Sequence, residues 1–333
     1  MKILAIESSC DETAAAVVDY KSKKFTVLSS VVSSQIEIHK PYGGVVPELA
    51  ARNHIVNIMP VISQAVKRSG LSIKKVDRIA VTAGPGLVTS LIVGLQTAKS
   101  LAYAFGKPLI GVNHLLGHVY SPLVLNQKID LPAVSLIVSG GHTELIFLKT
   151  LNNLKKIGQT VDDAAGEAFD KVAALLNLGY PGGPIISQLA QKGDSKAYNF
   201  PQPMINSADF NFSFAGLKTA VLYTVKKIEK IDQKIKQNIA ASFQQAAVDV
   251  LVNKTIKAAQ KYQAKTITLG GGVAANKLLR ESLAKQAELN GFKFFTPPIN
   301  LCTDNAVMIG AAAAFAKPSN WQKIKADPNL EIK

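Results

Sequence analysis

The fold is decided by the stretch KILAIESSCDETAAAVV, residues 2–18. Residues 2–6 are typical of a buried strand, residues 7–13 form a polar loop, and residues 14–18 are apolar again. The same order of strand, small and hydroxyl-bearing turn, threonine and strand returns in AVSLIVSGGHTELIFL, residues 133–148. A pattern that returns about 130 residues later predicts an internal duplication, although an ordinary pair of hairpins would look similar.

Helices and strands alternate between and after these two stretches. Further strands are predicted at residues 77–83, 109–112 and 266–269, and helices at residues 47–69, 87–105, 162–178, 231–260, 274–289 and 303–316. Such alternation is typical of α/β layers with parallel strand segments. We therefore expect an α/β protein of two related lobes with a cleft between them.

Composition indicates a folded enzyme of the cytosol. The chain has 333 residues, enough for two domains, and its apolar and charged fractions of 47% and 18% are those of a globular protein. No apolar run approaches the roughly 20 residues of a membrane span, and the first residues lack the features of a signal peptide. The two cysteines, Cys10 and Cys302, do not make a disulfide framework. A cytoplasmic location without a membrane partner is expected.

The net charge of +15 leaves two explanations open. Lysines neutralise phosphates, so the excess could mark a polyanionic partner such as a nucleic acid. Only four of the 38 basic residues are arginines, however, and such a skew toward lysine can also reflect genome composition. The charge alone does not decide between the two.

One pair of histidines stands at metal-ligand spacing. His114 and His118 lie four apart in the segment NHLLGH, which on a helix puts both imidazoles on one face, where they can hold a divalent metal ion. A zinc peptidase of the His-Glu-x-x-His type would need a glutamate after the first histidine, and Leu115 stands there instead. Two other histidines have simpler explanations, since His39 is predicted on a surface loop and His54 is predicted to pack within its helix.

Three polar or glycine-rich turns follow predicted strands, at residues 7–13, 139–143 and 270–272. Turns without bulky side chains let backbone N–H groups approach an anion. Together they favour a nucleotide site, although neither a Walker A lysine motif nor a Rossmann glycine motif is present.

Two acidic segments leave alternatives open. Asp162 and Asp163 suit the first turn of a helix, whereas Asp170 lies further in, where a carboxylate could accept a ligand hydroxyl. Before the last predicted helix, Thr303 or Asp304 could cap the helix. Alternatively, Asp304 could be a third metal ligand beside two histidines.

These motifs together resemble the TsaD family of tRNA threonylcarbamoyl transferases, also called Gcp or YgjD. The segments that carry the resemblance run in order through the chain: IESSCDET at 6–13, GGVVPELA at 43–50, the two histidines, VSGGHT at 138–143, DDAAGEAFDK at 162–171, YPGGP at 180–184, FSFAGLKT at 212–219, GGGVAAN at 270–276 and CTDN at 302–305. The tail after Ala316 departs from the family's usual ending, so the resemblance implies nothing there.

The resemblance implies an actin/hexokinase-like fold with two duplicated lobes and a nucleotide cleft between them. We expect residues 1–122 with 305–333 to form the N-terminal lobe and residues 123–304 the C-terminal lobe. The implied reaction transfers the threonylcarbamoyl group from threonylcarbamoyl-adenylate to N6 of the adenosine at tRNA position 37, with release of AMP. The implied partners are tRNAs that read ANN codons, an inactive paralogue, TsaB, and an ATPase, TsaE, and a homodimer is a further expectation.

The resemblance also implies a role for particular residues. His114, His118 and Asp304 would bind one divalent metal ion per subunit, with Fe(II) preferred over Zn(II). The adenylate would be bound by residues at strand ends and turns, namely Ile137, Val138, Ser139, Gly140, Gly141, Asp170, Gly183 and Asn276. Independently of the resemblance, the position of Asp11 in the first loop predicts a polar or proton-accepting catalytic group.

Two rival functions share parts of this pattern. A sugar or acetate kinase of the same fold would share the loops but would not need the histidine pair. An inactive scaffold paralogue would be expected to lack the metal motif, which is intact in this sequence.

Overall fold

A computed structural model describes residues 1–318 and 320–332 of the chain. Internal contacts divide it into two compact units, the first formed by Met1–Lys128 with Asn300–Lys333 and the second by Ile129–Ile299. The lobe boundaries expected from the sequence stay a prediction.

The first unit is built around a five-stranded sheet. Its strands are β1 (Lys2–Glu7), β2 (Glu12–Lys21), β3 (Lys24–Ser34), β4 (Arg78–Gly84) and β5 (Leu109–Asn113). They lie in the order β3-β2-β1-β4-β5, in which β1, β2 and β3 pair antiparallel and β4 and β5 run parallel to β1. Because β1, β4 and β5 are parallel, their carboxyl ends meet at one edge of the sheet.

The second unit repeats this topology. Its strands are β6 (Ala133–Val138), β7 (Thr143–Thr150), β8 (Asn153–Gln159), β9 (Thr266–Gly270) and β10 (Lys293–Phe295). Read from its antiparallel side, the order β8-β7-β6-β9-β10 corresponds strand for strand to that of the first sheet, with the same parallel and antiparallel pairs. The predicted α/β class and internal duplication are confirmed.

Ten α-helices connect and cover the sheets in the described part of the chain. They are α1 (Ile36–His39), α2 (Pro47–Arg68), α3 (Val88–Phe105), α4 (His114–Tyr120), α5 (Ala165–Leu175), α6 (Gly182–Ala190), α7 (Ala215–Lys226), α8 (Gln233–Lys261), α9 (Lys277–Leu289) and α10 (Ala306–Ala313). Among the described residues, none of these helices combines the length and the apolar character that a membrane crossing needs.

The first sheet has a different helical cover on each face. Leu4 and Ile6 of β1 share one buried cluster with Ile62 of α2 and Leu95 of α3. On the opposite face α10 lies close to the sheet, since a Cβ atom added to Gly310 would be 2.9 Å from Cγ2 of Val18. The apolar, small-residue sequence of α10 permits this close approach.

Several helix boundaries differ from the prediction. The helix predicted at residues 162–178 begins only at Ala165, because the carboxylate of Asp162 accepts hydrogen bonds from the N–H groups of Phe214 and Ala215 at the start of α7. The predicted first-turn role of Asp162 is therefore wrong. Helix α6, for which no helix was predicted, begins at Gly182 within the segment YPGGP.

Of the predictions made for the two other histidines, the one for His54 is confirmed and the one for His39 is wrong. His54 is buried within α2 as predicted, and its ring contacts Thr13 Oγ1 at 2.8 Å and the carbonyl oxygen of Cys10 at 2.9 Å. His39 is also buried, and its Nδ1 accepts a hydrogen bond from the N–H of Val46 at 3.2 Å. The predicted surface position of His39 is wrong, because the turn after α1 folds over the imidazole.

Candidate metal centre and candidate substrate loops

The metal motif begins where β5 ends. Asn113 caps α4, with its side-chain oxygen accepting hydrogen bonds from the N–H groups of Leu115 at 2.9 Å and Leu116 at 3.2 Å. This cap fixes the first turn of α4 at the carboxyl edge of the sheet. His114 and His118 then lie one turn apart with ring centroids separated by 4.8 Å, as the sequence spacing predicts.

A glycine inside the motif brings α4 against α10. A Cβ atom on Gly117 would lie 3.0 Å from Cγ of Met308 and 3.1 Å from Cδ1 of Ile309. The residue that caps α10 is Asn305, whose side-chain oxygen accepts from the N–H of Met308 at 3.0 Å. The predicted capping by Thr303 or Asp304 is therefore wrong, and the carboxylate of Asp304 serves the histidines instead.

The three predicted ligands converge although Asp304 is distant in sequence. One possible ligand atom from each of His114, His118 and Asp304 lies within 4.8 Å of the others. Oδ1 of Asp304 is 3.4 Å from Nε2 of His114 and 3.2 Å from Nε2 of His118. Both histidines are buried, whereas the side chain of Asp304 retains 21% of its exposure.

This arrangement fits a first-row divalent metal. Metal–ligand bonds of about 2.0–2.1 Å put neighbouring ligand atoms about 2.8–3.4 Å apart in octahedral or tetrahedral geometry. The two separations from Asp304 Oδ1, 3.2 and 3.4 Å, agree with that requirement. Two imidazoles and one carboxylate are donors that suit Fe(II) and Zn(II) alike.

Three polar residues behind His114, which the sequence analysis missed, fix its ring. Oε2 of Glu7 lies 3.0 Å from Nδ1 of His114 and accepts from Thr82 Oγ1 at 2.6 Å, and Ser9 Oγ lies 3.1 Å from the same Nδ1. Because a carboxylate can only accept, Nδ1 carries the proton and Nε2 is left as the ligand atom. A charged residue at the end of the buried strand β1 was the signal that could have identified Glu7.

Electrostatics couple these groups. Burial lowers the pKa of His114, but the negative charges of Asp304 and Glu7 outweigh burial and raise the pKa well above its ordinary value. Burial raises the pKa values of Asp304 and Glu7, and the charge of His114 reverses this, so that both pKa values are lowered. Burial lowers the pKa of His118. A metal ion entering the cluster must therefore displace a proton from His114.

The predicted catalytic residue Asp11 lies in the loop beside this cluster. The side chain is buried and hydrogen bonds to Glu12. Burial and then the charge of Asp11 raise the pKa of Glu12 to about 10. The catalytic role of Asp11 stays a prediction.

In the second unit, the predicted adenylate-binding loop joins β6 to β7. Ile137 and Val138 are buried at the end of β6, so only their backbones can face a ligand. The loop closes by hydrogen bonds from Ser139 N to the oxygen of His142 at 2.8 Å and from His142 N to Ser139 Oγ at 3.1 Å. Gly140 and Gly141 are exposed, and no atom lies within 4 Å of an added Cβ at either position.

Helix α5 connects this loop to α6. The N–H of Gly166 donates to the carbonyl oxygen of Ser139 at 3.2 Å, and an added Cβ on Gly166 would lie 2.8 Å from Cα of Gly140. One turn later Asp170 accepts from the N–H of Gly182 at 2.7 Å, which holds its carboxylate at the start of α6. Gly183, the next residue, borders open space. The predicted substrate residues on these three segments are therefore brought together.

Asn276 belongs to the same edge of the second sheet. Its side-chain oxygen caps α9 by accepting from the N–H of Leu279 at 3.0 Å, and its nitrogen donates to Oε1 of Gln244 at 2.8 Å. The preceding turn packs on the substrate loop, because an added Cβ on Gly271 would overlap the carbonyl oxygen of Val138. The role of Asn276 in binding the adenylate stays a prediction.

The segment FSFAGLKT stabilises α5 rather than contributing an obvious ligand. Asp163 pairs with Lys218 of this segment at 2.7 Å and with Lys171 of α5 at 2.9 Å. Burial raises the pKa of Asp163, and the two lysines outweigh burial and lower it. The first-turn role predicted for Asp163 is thus replaced by an ion-paired link between α5 and α7.

Comparison with known proteins gives a consistent result along the whole chain. Residues 26–311 match the family model described as TsaD, tRNA N6-adenosine threonylcarbamoyltransferase. A curated protein of that name from Thermosipho africanus is 50% identical over 335 residues, with 100% of both chains covered. Another from Moorella thermoacetica is 52% identical over 314 residues, covering 94% of this chain and 91% of its own.

The fold is similar to that of more distant solved structures. The crystal structure of HypF from T. kodakarensis superposes with a TM-score of 0.64 at 15% identity, over 94% of this chain and 47% of that one. At this identity the similarity concerns the fold alone.

Proposed function

The chain belongs to the TsaD family of tRNA N6-adenosine threonylcarbamoyltransferases, and on this premise we propose that its donor substrate is threonylcarbamoyl-adenylate. Membership makes the protein a transferase that acts in the threonylcarbamoyladenosine modification of tRNA. The proposal adds the adenosine at position 37, in tRNAs that read ANN codons, as the acceptor and AMP as the leaving group.

The convergence of His114, His118 and Asp304 is the observation that carries the proposal. One divalent ion per chain, Fe(II) in preference to Zn(II), would supply the fixed positive charge that the leaving phosphate of an adenylate requires. Leu115, which is buried, stands at the position where a zinc peptidase has a glutamate. Such a glutamate would activate water, and that water would hydrolyse the donor, so an apolar residue at this position suits a transferase.

The donor is proposed to lie against the substrate loop of the second unit. The exposed backbone of Gly140 and Gly141 suits the anionic part of an adenylate. The carboxylate of Asp170 is held by the N–H of Gly182, which presents it for a ribose hydroxyl, and Gly183 leaves room beside it. Ile137, Val138 and Asn276 complete the proposed set.

The chemical step needs no protein nucleophile. N6 of the adenosine attacks the carbonyl carbon of the donor, a C–N bond forms, and the C–O bond to the phosphate breaks as AMP leaves. The amine must also lose a proton, and Asp11 is proposed to receive it because it lies in the loop whose Ser9 contacts the ring of His114. Since an adenine amine is a weak nucleophile, positioning contributes much of the acceleration.

A partner surface is proposed on the first unit. Exposed apolar side chains lie along α2 and on the neighbouring α3, namely Ile55, Val56, Met59, Val88 and Ile92. Such a patch suits a protein partner, and we assign it to the inactive paralogue TsaB. The substitution Val56→Asp should abolish binding to TsaB in calorimetry while leaving the melting temperature unchanged.

Contacts with the ATPase TsaE, a homodimer and a cytoplasmic location stay predictions.

The donor assignment is tested with the adenylate labelled in its threonylcarbamoyl group. The protein, unmodified tRNA and the partner proteins should yield labelled tRNA and AMP in equal amounts. Asp304→Asn should reduce both products together, whereas Asp232→Asn, an exposed cap of α8 that asparagine can replace, should match the wild type. ATP-dependent phosphorylation of a sugar with no tRNA product would contradict the proposal and favour the kinase alternative.

A further inference from the structure

The chain after α10 folds back onto the first unit and packs beside the metal motif. We refer to residues 321–330 as the C-terminal strap, which lies beyond residues 26–311 of the family match. Ile324 anchors the strap in the buried cluster of the first unit, and the ring of Trp321 lies 6.1 Å from that of Tyr103 on α3. An added Cβ on Gly111 of β5 would lie 2.7 Å from Cγ2 of Ile324, so this close packing requires glycine.

The strap contacts the turn after β4 through its backbone. The N–H of Asp327 donates to the carbonyl oxygen of Ala83 at 2.8 Å, and the N–H of Gly86 donates to that of Pro328 at 3.3 Å. An added Cβ on Gly84, whose φ is +152°, would overlap the carbonyl oxygen of Asp327. The turn and the strap are therefore fitted to each other at backbone distance.

The same turn leads to the metal cluster. The N–H of Leu87 donates to the carbonyl oxygen of Ser9 at 2.8 Å, and an added Cβ on Gly86 would lie 2.5 Å from that oxygen. Ser9 Oγ in turn lies 3.1 Å from Nδ1 of His114. A first path of contacts thus joins the strap to the ring of His114.

A second path runs through Asn113. Its Nδ2 donates to the carbonyl oxygen of Leu330 in the strap at 2.9 Å, while its Oδ1 accepts from the N–H groups of Leu115 and Leu116. Aspartate or serine could cap the helix equally well, but the amide offers a donor and an acceptor on one short side chain. The residue between Asn113 and Leu115 is His114, so both paths end at the same metal ligand.

We propose that the C-terminal strap is a positioning element of the metal centre, and that Asn113 is the residue through which it aligns the start of α4. This proposal rests on the proposed metal site and adds to it the C-terminal strap, which supplies none of the three proposed metal ligands. Groups that orient metal ligands from behind typically change metal affinity by about 10–100-fold when they are removed. The strap should therefore affect metal affinity beyond its contribution to stability.

Binding of Co(II), measured by absorption and calorimetry on the full chain, provides the readout. We compare the wild type with a chain ending at Ala326, with Asn113→Asp, and with both changes combined. A chain ending at Glu331 is the matched control, because it keeps Leu330 and every strap contact described above. Thermal unfolding of each metal-free protein reports the structural effect separately.

Removal of residues 327–333 should weaken Co(II) binding about tenfold or more and change its absorption bands. Asn113→Asp should also weaken binding, and the combined variant should be no worse than the shortened chain, because the shortened chain has already lost the path through Asn113. Unchanged affinity in the shortened chain and in Asn113→Asp, or fully additive losses, would overturn the positioning role. If the wild type itself bound no Co(II), the proposed metal site would fail, and this inference with it.

Discussion

Oε2 of Glu7 lies 3.0 Å from Nδ1 of His114, in the buried interior and 107 residues away along the chain. The pair places a fixed negative charge on the side of the imidazole that faces away from Asp304. It thereby selects the tautomer in which Nε2 is the ligand atom, and it links the first hairpin loop to the metal motif.

Glu7→Gln should weaken metal binding while keeping the protein folded. Glutamine has the same shape and can still accept a hydrogen bond from His114, but it removes the charge. We expect Co(II) affinity to fall about tenfold, the lower end for the loss of a group that orients a metal ligand. Calorimetry measures the affinity, and Asp232→Asn is the control for a carboxylate changed to an amide at an exposed site. An unchanged affinity in Glu7→Gln would show that hydrogen bonding alone is sufficient.

Metal affinity should rise with pH. His114 has a pKa raised well above its ordinary value by Asp304 and Glu7, so its proton must leave when a metal binds. Below that raised pKa the affinity should increase about tenfold per pH unit, since one proton is released per ion. Co(II) titrations between pH 6 and 9 measure the slope, and a flat profile would contradict proton displacement from His114.

The stability of the metal-free protein should have the opposite dependence at alkaline pH. His114 contributes stability that is complete below the unfolded pKa of about 6.5 and is lost as pH rises through its raised folded pKa. Glu7 and Asp304, whose pKa values are lowered, contribute stability above about pH 4–4.5 that is lost as pH falls through the lowered values. The melting temperature, measured from pH 3 to 9, should therefore fall at both ends of this range. Glu7→Gln should reduce the fall at alkaline pH.

Gly140→Ala should separate donor binding from folding. An added Cβ meets no atom within 4 Å, so the melting temperature should remain that of the wild type. If the donor lies against the loop backbone, the methyl group should raise the KM for the adenylate at least about tenfold through displacement of the ligand. Steady-state kinetics with saturating tRNA measure this, and unchanged KM and kcat would remove Gly140 from the substrate site.

Lys218→Met should loosen the substrate loop through α5. The lysine and Asp163 are partly exposed, so the loss of their ion pair should cost less than about 1 kcal/mol of unfolding free energy. Because Gly166 of α5 contacts Ser139, the KM for the adenylate should rise severalfold with a smaller change in kcat. Lys293→Met, which removes an exposed pair with Asp130 at the sheet edge, is the matched control. Equal effects of both variants on KM would show that the Asp163–Lys218 pair does not act on the substrate loop through α5.

The sequence predicted those parts of the protein that depend on local pattern. The apolar run before Glu7 and the one before Ser139 predict β1 and β6, and their repeated context predicts the duplication that the two sheets display. The spacing of His114 and His118 is itself a helical property, so their proximity could be predicted without knowledge of the fold.

The remaining features depend on contacts between distant parts of the chain. Asp162 caps a helix 51–53 residues away, which no local rule distinguishes from a role in its own first turn. The choice of Asn305 rather than Asp304 as the cap of α10 depends on the histidines that attract the aspartate. His39 is buried by a turn that its neighbours in sequence do not specify.

The central claim is that one metal ion, held by His114, His118 and Asp304, is required for transfer to tRNA. The most direct measurement is the formation of threonylcarbamoyladenosine by protein freed of metal and then titrated with Fe(II) under anaerobic conditions. We expect no product without metal, and activity that rises in proportion to the ion and saturates at one equivalent per chain. Asp304→Asn should give neither stoichiometric binding nor product. Full activity of the metal-free protein in the presence of a chelator would contradict the claim.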